Sequence, residues 1–573
     1  MMHILAHRST TVHLLLLMFF SIALWIPRFR GPIDLRYDAG VYYILGTSLE
    51  QGKGYRLLNE PSEIQAIQYP PFLPLFAAMH QRLAGTGDPA VAGHWLRISF
   101  FVIFLGFVIA TYRLSKNFLT SRVAFLATAV VLLHVHTTWM SELFFAELPF
   151  ALTSVLFLLI ALRGKNRSRD WLVGLLGAVS FLLRSAGIAL FIAWIGESLF
   201  KRRLKEMAFR AALTLIPVLA WQGYIAHVKI GQEYLQTSYE YQRAGYQFYN
   251  VGYLENLMYV DPFVPELGTV SFKALVKRIT LNLIRMPVAI GGAMSVDPER
   301  VISRFKRVNQ QPERLKMSLW VAQVALALLG AAVLFGLMLL LHRGEWLIFL
   351  YITCSAFLIC LVPWPAQFIR YLWPIAPVLA IAFFTALVTV RDYLSRVAGG
   401  RWRIPVSAVV ATVVICVSAM ELFALGKSYQ LSATAAYKTV AGHQREYRLF
   451  FYTPAWQLHD TALDWLKSEA NSDEIVATST PHWVYLKCGL RAVMPPFEND
   501  VSAAQRLIDS VPVNYLILDN LEFVDITRRY GARIVQAFPE CWELIYSTGK
   551  IGSKIYRRVN PDIRLIKHQI PNS

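Results

Sequence analysis

The chain has 573 residues, of which 55% are hydrophobic and 16% are charged, with a formal net charge of +19. Soluble domains carry about 45–50% apolar and about 25% charged residues, so this composition excludes a wholly soluble protein and predicts a membrane protein with soluble parts. The positive charge does not indicate a nucleic-acid partner, because basic membrane proteins owe such an excess to their cytoplasmic loops.

Apolar runs along the chain predict about eleven transmembrane helices. The first run, Leu14–Ile26, follows the basic residue Arg8 and ends without the small residues of a cleavage site, so we expect it to be retained as a span. The runs at 171–183 and 186–200 are short and meet at Arg184, as two tilted spans would. The remaining runs lie at about 91–114, 121–140, 143–162, 208–227, 318–341, 345–362, 371–390 and 404–425.

Basic residues predict the orientation of these spans. With the N-terminus in the cytoplasm, the cytoplasmic loops contain about 17 Lys and Arg residues, whereas the short loops on the other side, 134–142 and 363–370, contain only Arg370. This asymmetry places three segments outside the cytoplasm, namely the loops 28–90 and 228–317 and the C-terminal tail.

The predicted fold is therefore a polytopic α-helical membrane protein with a C-terminal extracytoplasmic α/β domain. We expect a multi-pass protein of the cytoplasmic (inner) membrane with its N-terminus in the cytoplasm. Residues 1–425 are predicted to form the transmembrane domain, and residues 426–573 the α/β domain.

The loop 28–90 carries a carboxylate at the start of a predicted helix. Asp38 precedes apolar residues at i, i+3, i+4 and i+8, which are Val41, Ile44, Leu45 and Leu49. This spacing predicts a helix that lies on the membrane surface. Asp38 is then either an N-cap of that helix or a general base for a substrate hydroxyl.

The loop 228–317 begins with many aromatic residues and continues with a basic amphipathic segment. The aromatic residues lie between Tyr239 and Tyr259, and the basic segment, Phe272–Met286, includes Lys273. Such a segment either lies on the membrane surface or lines a cavity.

The tail alternates between short strand-like and helix-like patterns. The predicted strands are 474–478, 484–486, 514–518, 543–547 and 554–558, and the predicted helices are 462–470 and 503–510. Its two cysteines, Cys488 and Cys541, are candidates for a disulfide if the tail is extracytoplasmic. The tail sequence shows no glycine-rich phosphate loop and no Ser/His/Asp signature.

Ionisable residues stand at the outer ends of several predicted spans. Glu142 is accounted for by the helix dipole, because the start of the fourth span is a positive helix end that favours a carboxylate. Glu147 lies more than a turn inside the apolar run, where an unpaired carboxylate is costly, so we expect it to face a polar cavity or a cation. Arg184 and Arg370 either snorkel to the interface or clamp a lipid phosphate.

The sequence gives little indication of a metal centre. His134 and His136 share a short loop, which is a weak signal, and there is no CxxC motif.

Several short motifs together resemble the integral-membrane GT-C glycosyltransferases. The nearest likeness is glycosyltransferase family 39 and its relatives, which include protein O-mannosyltransferases and the lipid A aminoarabinose transferase. The motifs that carry the likeness are Tyr37-Asp38-x-x-x-Tyr42-Tyr43, Gly-Lys-Gly-Tyr at 52–55, Tyr69-Pro70-Pro71, Glu147-Leu-Pro-Phe and Arg370-Tyr371-x-x-Pro374-x-x-Pro377.

The resemblance implies an enzyme that transfers a sugar, hexosyl or pentosyl, from a polyprenyl-phosphate donor to a hydroxyl of a lipid, protein or glycan acceptor, with inversion. It implies that Asp38 is the base and that Glu147, or Glu142, is the second acid of the site. The resemblance also implies residues that bind the lipid phosphate and the substrate, which are Arg184, Arg370, a basic residue of 272–307 such as Lys273, and the tyrosines Tyr42, Tyr69 and Tyr371.

One departure from the family concerns metal dependence. Many relatives carry an acidic pair in the first loop, whereas here Ala39 follows Asp38. This difference favours chemistry with a single acid. The sequence therefore predicts no definite cofactor and leaves a divalent metal as an alternative.

Other functions remain compatible with the same sequence. A polysaccharide ligase or polymerase would use the same lipid carriers with arginines dominating the site. A transporter would show acids at mid-membrane and symmetric halves, which the sequence lacks. A non-enzymatic scaffold would tolerate the loss of Asp38.

Overall fold

The computed structural model describes residues 2–164, 167–296, 312–397, 403–430, 432–438, 443–521 and 525–559. They form two compact units, each assembled from three segments of the chain. We call them the membrane unit (1–33, 94–222 and 271–430) and the α/β unit (34–93, 223–270 and 431–573). This grouping differs from the predicted boundary at residue 425, because residues 34–93 and 223–270, which include most of the first large loop and the first half of the second, belong to the unit that contains the tail.

Helices account for most of the described chain. In the N-terminal half they are α1 (Met2–Trp25), α2 (Asp38–Glu50), α3 (Phe72–Ala84), α4 (Pro89–Ser115), α5 (Ser121–Leu133), α6 (Val135–Glu142), α7 (Glu147–Ala161), α8 (Arg167–Leu183), α9 (Ile188–Phe200), α10 (Leu204–Ile230), α11 (Gln232–Leu235), α12 (Tyr253–Met258) and α13 (Phe272–Ala293).

The C-terminal half adds further helices and all the strands. The helices are α14 (Pro312–His342), α15 (Trp346–Cys360), α16 (Phe368–Leu372), α17 (Ala376–Val397), α18 (Arg403–Gln430), α19 (Pro454–Glu469), α20 (Pro481–Cys488), α21 (Val501–Asp509) and α22 (Ala532–Ala537). The strands are β1 (Ala433–Lys438), β2 (Gln444–Leu449), β3 (Ile475–Ala477), β4 (Arg491–Val493), β5 (Val513–Leu518), β6 (Trp542–Ser547) and β7 (Lys554–Arg558).

Six helical segments of the described residues are long and apolar enough to cross a membrane: Ser9–Arg28, Pro89–Ser115, Leu204–Ile230, Trp320–His342, Pro365–Val397 and Ala411–Gln430. The pair α5 and α6 would make a seventh span, and α7, Ser185–Phe200 and α15 are shorter apolar helices. The protein is therefore a polytopic α-helical membrane protein. The predicted number of about eleven spans depends on these shorter helices and on α8, and it stays a prediction.

Two breaks interrupt the predicted spans. The span predicted at 121–140 is bent, because the chain turns by 58° between α5 and α6. The break is at His134, whose Nδ1 accepts the N–H of His136 at 3.2 Å and so caps α6. The predicted meeting point at Arg184 is confirmed, since this residue is extended between α8 and the turn that precedes α9.

The basic segment predicted at Phe272–Met286 is the first part of α13. Its exposed side chains lie mainly in the first three turns, where Phe272 is 82% exposed. The second half packs closely against α14, since a Cβ added to Gly291 would overlap the Leu326 carbonyl group, and one added to Gly330 would overlap that of Pro287. Small residues at such positions allow helix backbones to approach each other.

The tail forms the predicted α/β fold around a five-stranded sheet. The strand order is β4-β3-β5-β7-β6, in which β3 is parallel to β4 and β5, and β7 is antiparallel to β5 and β6. Both faces of the sheet are covered, because Ile475 and Ala477 belong to one buried cluster and Val476 to another. The strands predicted at 474–478, 514–518, 543–547 and 554–558 and the helices predicted at 462–470 and 503–510 are confirmed.

Two features of the tail differ from the prediction. Residues 484–486, predicted as a strand, lie in α20, which begins with Pro481 at its first position. A run of three apolar residues does not distinguish a buried strand from a buried helix. The strand β4 and the hairpin β1–β2 were not predicted. Cys488 and Cys541 are not joined by a disulfide, and they pack against opposite faces of the sheet.

The first loop contains the predicted helix α2, but not in the predicted environment. Every residue from Ala39 to Thr47 is buried, so α2 presents no apolar face to a membrane surface. The following helix α3 has that character instead, since Leu75, Met79 and Leu83 are 50%, 50% and 79% exposed at a spacing of four residues. The prediction of a surface-lying α2 is therefore wrong, because tertiary packing surrounds the helix on all sides.

Candidate active site

One buried carboxylate and two arginines meet in the membrane unit. Glu147, the first residue of α7, is 1% exposed, and its Oε1 lies 2.6 Å from Nη1 of Arg184 and 2.6 Å from Nε of Arg370. Arg184 stands at the break between α8 and α9, and Arg370 lies on the short helix α16. The structure thus brings together three of the residues that the sequence singled out. We call them the Glu147 cluster.

The Glu147 cluster has more positive than negative charge. Two guanidinium groups face one carboxylate, and their side chains are 20% and 18% exposed, whereas Glu147 is enclosed. Aromatic rings flank both arginines, because Arg184 lies 5.7 Å from the ring centre of Tyr371 and Arg370 lies 4.4 Å from that of Phe145. A partly exposed pair of planar, permanently charged donors is a suitable binding site for a phosphate group.

Glu142, the other predicted acid of the span, has a different partner. It is the last residue of α6, so the predicted interaction with the start of a helix dipole is wrong. Its Oε1 lies 3.2 Å from Nη1 of Arg28, and the two side chains are 2% and 1% exposed. Arg28 also donates to the backbone carbonyls of Leu24 and Thr138. One charge faces one charge in this closed pair, which indicates a structural role.

Asp38 is the first residue of α2 in the α/β unit and is half-buried. The N-cap position belongs to Tyr37, whose backbone has φ 60° and ψ −140° and whose side chain makes no capping hydrogen bond. A non-glycine residue with positive φ is strained and persists only where the surrounding structure enforces it. The N-cap interpretation of Asp38 is therefore not supported, and a strained residue directly precedes the proposed base.

Aromatic residues surround the first turns of α2. Tyr42 lies one turn after Asp38, and its ring centre is 4.8 Å from that of Tyr69. The series continues to Tyr249 at 6.4 Å from Tyr69, and then to His482 at 4.6 Å from Tyr249. Two of the three tyrosines predicted to bind substrate, Tyr42 and Tyr69, are thus neighbours. Tyr249 belongs to the aromatic part of the long loop, whereas no pattern in the sequence pointed to His482.

Lys273, predicted to contact the phosphate, is exposed in the first turn of α13. Among the described residues, no hydrogen bond or ion pair joins it to the Glu147 cluster. The basic residues that we considered between 297 and 307 lie outside the described part of the chain.

A buried serine and histidine approach each other in the α/β unit. Nδ1 of His459 lies 2.9 Å from Oγ of Ser553, and Nε2 lies 3.0 Å from Oγ1 of Thr480. Burial lowers the pKa of His459, against the opposing effect of Asp519 and Asp460. Because His459 and Ser553 are 0% and 1% exposed and both imidazole nitrogens have hydroxyl partners, this network is structural rather than nucleophilic.

Neither the Glu147 cluster nor His134 is arranged to hold a divalent metal ion. The Glu147 oxygen already lies next to two cations. His134 uses one nitrogen to cap α6 and the other to contact the Gly292 carbonyl at 3.2 Å. Within the described ranges, no group of three or more His, Cys, Asp or Glu residues is arranged to hold a metal ion.

The fold is similar to that of solved membrane glycosyltransferases. The Archaeoglobus fulgidus oligosaccharyltransferase in complex with zinc and sulfate matches 95% of this chain and 73% of its own, with a TM-score of 0.53 and 13% identity. The same archaeal enzyme, AglB, in complex with an inhibitory peptide and a dolichol-phosphate, matches 97% and 75%, with a TM-score of 0.51 and 14% identity.

A third solved structure is ArnT from Cupriavidus metallidurans bound to undecaprenyl phosphate, which matches 95% of this chain and 98% of its own, with a TM-score of 0.49 and 10% identity. No protein-family model matches this sequence, and no curated protein matches it. At these identities the likeness concerns the fold. The chain therefore has the fold of the GT-C membrane glycosyltransferases.

Proposed function

We propose that this protein is a glycosyltransferase that moves a sugar from a polyprenyl-phosphate carrier to a hydroxyl acceptor. The observation that carries the proposal is the Glu147 cluster, in which two partly exposed arginines share one enclosed carboxylate. The excess positive charge suits the phosphate of a lipid carrier. The fold shared with an oligosaccharyltransferase that was solved with a dolichol-phosphate supports a donor of this class.

The reaction requires one new bond and one broken bond at the anomeric carbon. The acceptor oxygen attacks this carbon, the bond to the phosphate oxygen breaks, and the leaving polyprenyl phosphate takes the electron pair. The acceptor proton passes to a base. Attack opposite to the leaving group inverts the anomeric configuration.

We assign two functions to separate groups. Asp38 accepts the proton of the acceptor hydroxyl, which a neutral hydroxyl loses poorly without a positioned base. Arg184 and Arg370 stabilise the negative charge that develops on the leaving phosphate, in a region where little water screens it. Glu147 orients the two guanidinium groups. In this assignment Glu142 has no part in the chemistry.

The cellular arrangement forms part of the proposal. We place the reaction at the outer face of the cytoplasmic membrane, with the N-terminus in the cytoplasm and the α/β unit outside. The asymmetric distribution of Lys and Arg among the loops supports this orientation. The acceptor is a lipid, a protein or a glycan.

The test compares wild-type protein with Asp38→Asn in membranes supplied with radiolabelled polyprenyl-phosphate sugars. We expect Asp38→Asn to lower transfer by about 100- to 10,000-fold, which is the usual contribution of a general base. Asp88→Asn is the matched control, because Asp88 lies in the same loop and its Oδ1 accepts the N–H of Ala90, which an asparagine also does.

The outcomes separate the proposal from its rivals. Loss of transfer in Asp38→Asn alone, with equal amounts of folded protein, supports Asp38 as the base. Equal transfer in all three proteins would remove Asp38 from the mechanism and favour a ligase or polymerase that relies on the arginines. Absence of transfer from every sugar and glycan donor, even in wild-type membranes, would contradict the enzyme and favour a transporter or scaffold.

A further inference from the structure

Two residues before Asp38, an arginine is completely enclosed in the α/β unit. Arg36 is 0% exposed, and its guanidinium forms a two-point contact with Asp34, with Nε to Oδ1 at 3.1 Å and Nη2 to Oδ2 at 2.7 Å. Burial opposes the charged form of Arg36, yet Asp34, with smaller contributions from Tyr37 and Asp460, outweighs burial and holds the pKa of Arg36 above its ordinary value. The charge of Arg36 is therefore balanced within its own segment.

The remaining donors of Arg36 point to the C-terminal segment of the same unit. Nη2 donates to the carbonyl of Phe450 at 2.7 Å, and Nη1 lies 3.4 Å from that of Phe451. Three aromatic rings surround the guanidinium at 5.2–5.5 Å from their centres, those of Tyr37, Tyr452 and Trp456. An arginine therefore joins residues more than 400 positions apart in the chain, next to the proposed base.

The backbone is strained on both sides of this contact. Tyr37 has φ 60° and Phe451 has φ 51°, values that residues other than glycine rarely adopt. The ring of Tyr37 also packs edge-on against Trp456, with 5.5 Å between the ring centres. Strain of this kind is retained when neighbouring contacts enforce it, and the contacts of Arg36 with the Tyr37 ring and the Phe451 carbonyl are among those present here.

A second contact from the tail reaches the first turn of α2. A Cβ added to Gly40 would lie 3.2 Å from Cβ of His482, 3.4 Å from the Leu486 side chain and 3.1 Å from the Leu35 carbonyl oxygen. The helix α20 therefore packs directly against α2 at a position two residues after Asp38. Both contacts come from the tail, and they lie on either side of Asp38 in the sequence.

We propose that the C-terminal segment of the α/β unit positions Asp38 for the transfer reaction, with Arg36 as the positioning residue. This inference rests on the proposed role of Asp38 as the base. Arg36 acts through the backbone of Tyr37 and Asp38 and has no contact with substrate in this mechanism. The tail thus contributes to catalysis without supplying a reacting group.

The first measurement is hydrogen exchange, which does not depend on activity. In full-length protein, Arg36→Lys keeps the charge but loses the forked contact with Asp34 and the Phe450 carbonyl. We expect the amides at the start of α2 to exchange about 10-fold faster than in the wild type, because the contacts that hold Tyr37 are weakened. Arg528→Lys is the matched control, because Arg528 donates to the Leu521 carbonyl in the same unit at 2.9 Å, and no hydrogen bond or ion pair joins it to α2 in the described part of the chain.

The second measurement is kinetic. We expect Arg36→Lys to lower kcat by on the order of 10- to 100-fold with an unchanged KM for the donor, since a base displaced by about 1 Å loses that much rate. In an Asp38→Asn background, Arg36→Lys should have no further effect on the residual rate, because it acts through Asp38. If Arg36 affected stability alone, Arg36→Lys would lower the transfer rate by the same factor in the wild-type and Asp38→Asn backgrounds.

If Arg36→Lys does not fold, Gly40→Ala replaces it, since one added methyl group displaces the first turn of α2 while favouring its helical state.

The outcomes separate this inference from the proposed function. Faster exchange at α2 together with a lower kcat, in Arg36→Lys but not in Arg528→Lys, supports the inference. Unchanged exchange at α2 would overturn it, whatever the activity. A wild-type protein that transfers no sugar would contradict the proposed function, and faster exchange in the variant would then still assign Arg36 to holding the start of α2.

Discussion

The two units stabilise the charge of their arginines in different ways. In the α/β unit, Arg36 faces one carboxylate, has two backbone carbonyls for its other donors, and is completely enclosed. In the membrane unit, Arg184 and Arg370 share Glu147 and remain about one-fifth exposed. The first arrangement is balanced in charge and closed to solvent. The second has a surplus of positive charge that is accessible.

This difference shows how a structural ion pair is distinguished from a ligand site in the same molecule. Both contain arginine, carboxylate and aromatic rings, so residue type alone does not separate them. Charge balance and exposure do, because a balanced buried pair has nothing left to offer an anion. The pair of Arg28 with Glu142 belongs to the closed type.

The largest expected effect comes from breaking the closed pair of Arg28 and Glu142. Glu142→Leu leaves Arg28 buried without its counter-ion, which costs about 3–5 kcal/mol of stability. The double variant Arg28→Met with Glu142→Leu should recover most of the loss, because two apolar side chains replace two charges. The unfolding temperature in detergent measures the stability of the single and the double variant. A single variant as stable as the wild type would show that the pair does not carry the structural role we assign to it.

Removal of one arginine from the Glu147 cluster should affect activity instead. Arg184→Gln or Arg370→Gln should lower the rate by about 100- to 1,000-fold, because a positioned donor to the leaving phosphate is lost. The unfolding temperature should change little, since Glu147 keeps one arginine. Arg391→Gln serves as the control, because Arg391 pairs with Asp392 at an exposed site. Full activity in both cluster variants would contradict the phosphate assignment.

Ligand binding provides a test without catalysis. A polyprenyl phosphate at 100 times its dissociation constant should stabilise the wild-type protein by about 2.7 kcal/mol, seen as a higher unfolding temperature. The neutral polyprenol of the same length should give a smaller shift, and Arg370→Gln should reduce the difference between the two lipids. Equal shifts from both lipids in the wild type would show that the phosphate is not recognised.

The smallest expected effect concerns a carboxylate with neutral partners. Glu60 is buried in the α/β unit and accepts hydrogen bonds from Tyr239 at 2.7 Å and Asn250 at 3.3 Å. Burial raises the pKa of Glu60, and these hydrogen bonds oppose the rise only in part. The folded state therefore binds a proton more tightly than the unfolded state does, and this contribution to stability is complete below the unfolded pKa and lost as the pH rises through the folded pKa.

Glu60→Gln removes that pH dependence. The variant should be more stable than the wild type near neutral pH, by about 1.4 kcal/mol for each pKa unit of the shift, and the difference should disappear below the ordinary pKa of a glutamate. Unfolding measured across acidic to neutral pH tests this. A stability difference that does not vary with pH would show that Glu60 has the same proton affinity in both states.

Much of the membrane unit follows from local sequence. Composition predicts a membrane protein, and the apolar runs predict its helices within a few residues, because burial in lipid requires long apolar stretches. The position of Glu147 inside an apolar run already required a cation or a polar cavity, since an isolated charge there is costly. The tail pattern likewise predicted four strands and two helices that the structure contains. The catalytic roles stay predictions.

The tertiary structure decided which charged groups meet and which helix is buried. No local pattern indicates that Arg36 contacts the Phe450 carbonyl, because the contact joins distant parts of the chain. The amphipathic spacing of α2 predicted an exposed face, yet α20 and α3 enclose the helix and leave α3 with the exposed apolar side chains. Sequence determines the periodicity and the cost of an unpaired charge, whereas the partner that removes that cost is set by long-range packing.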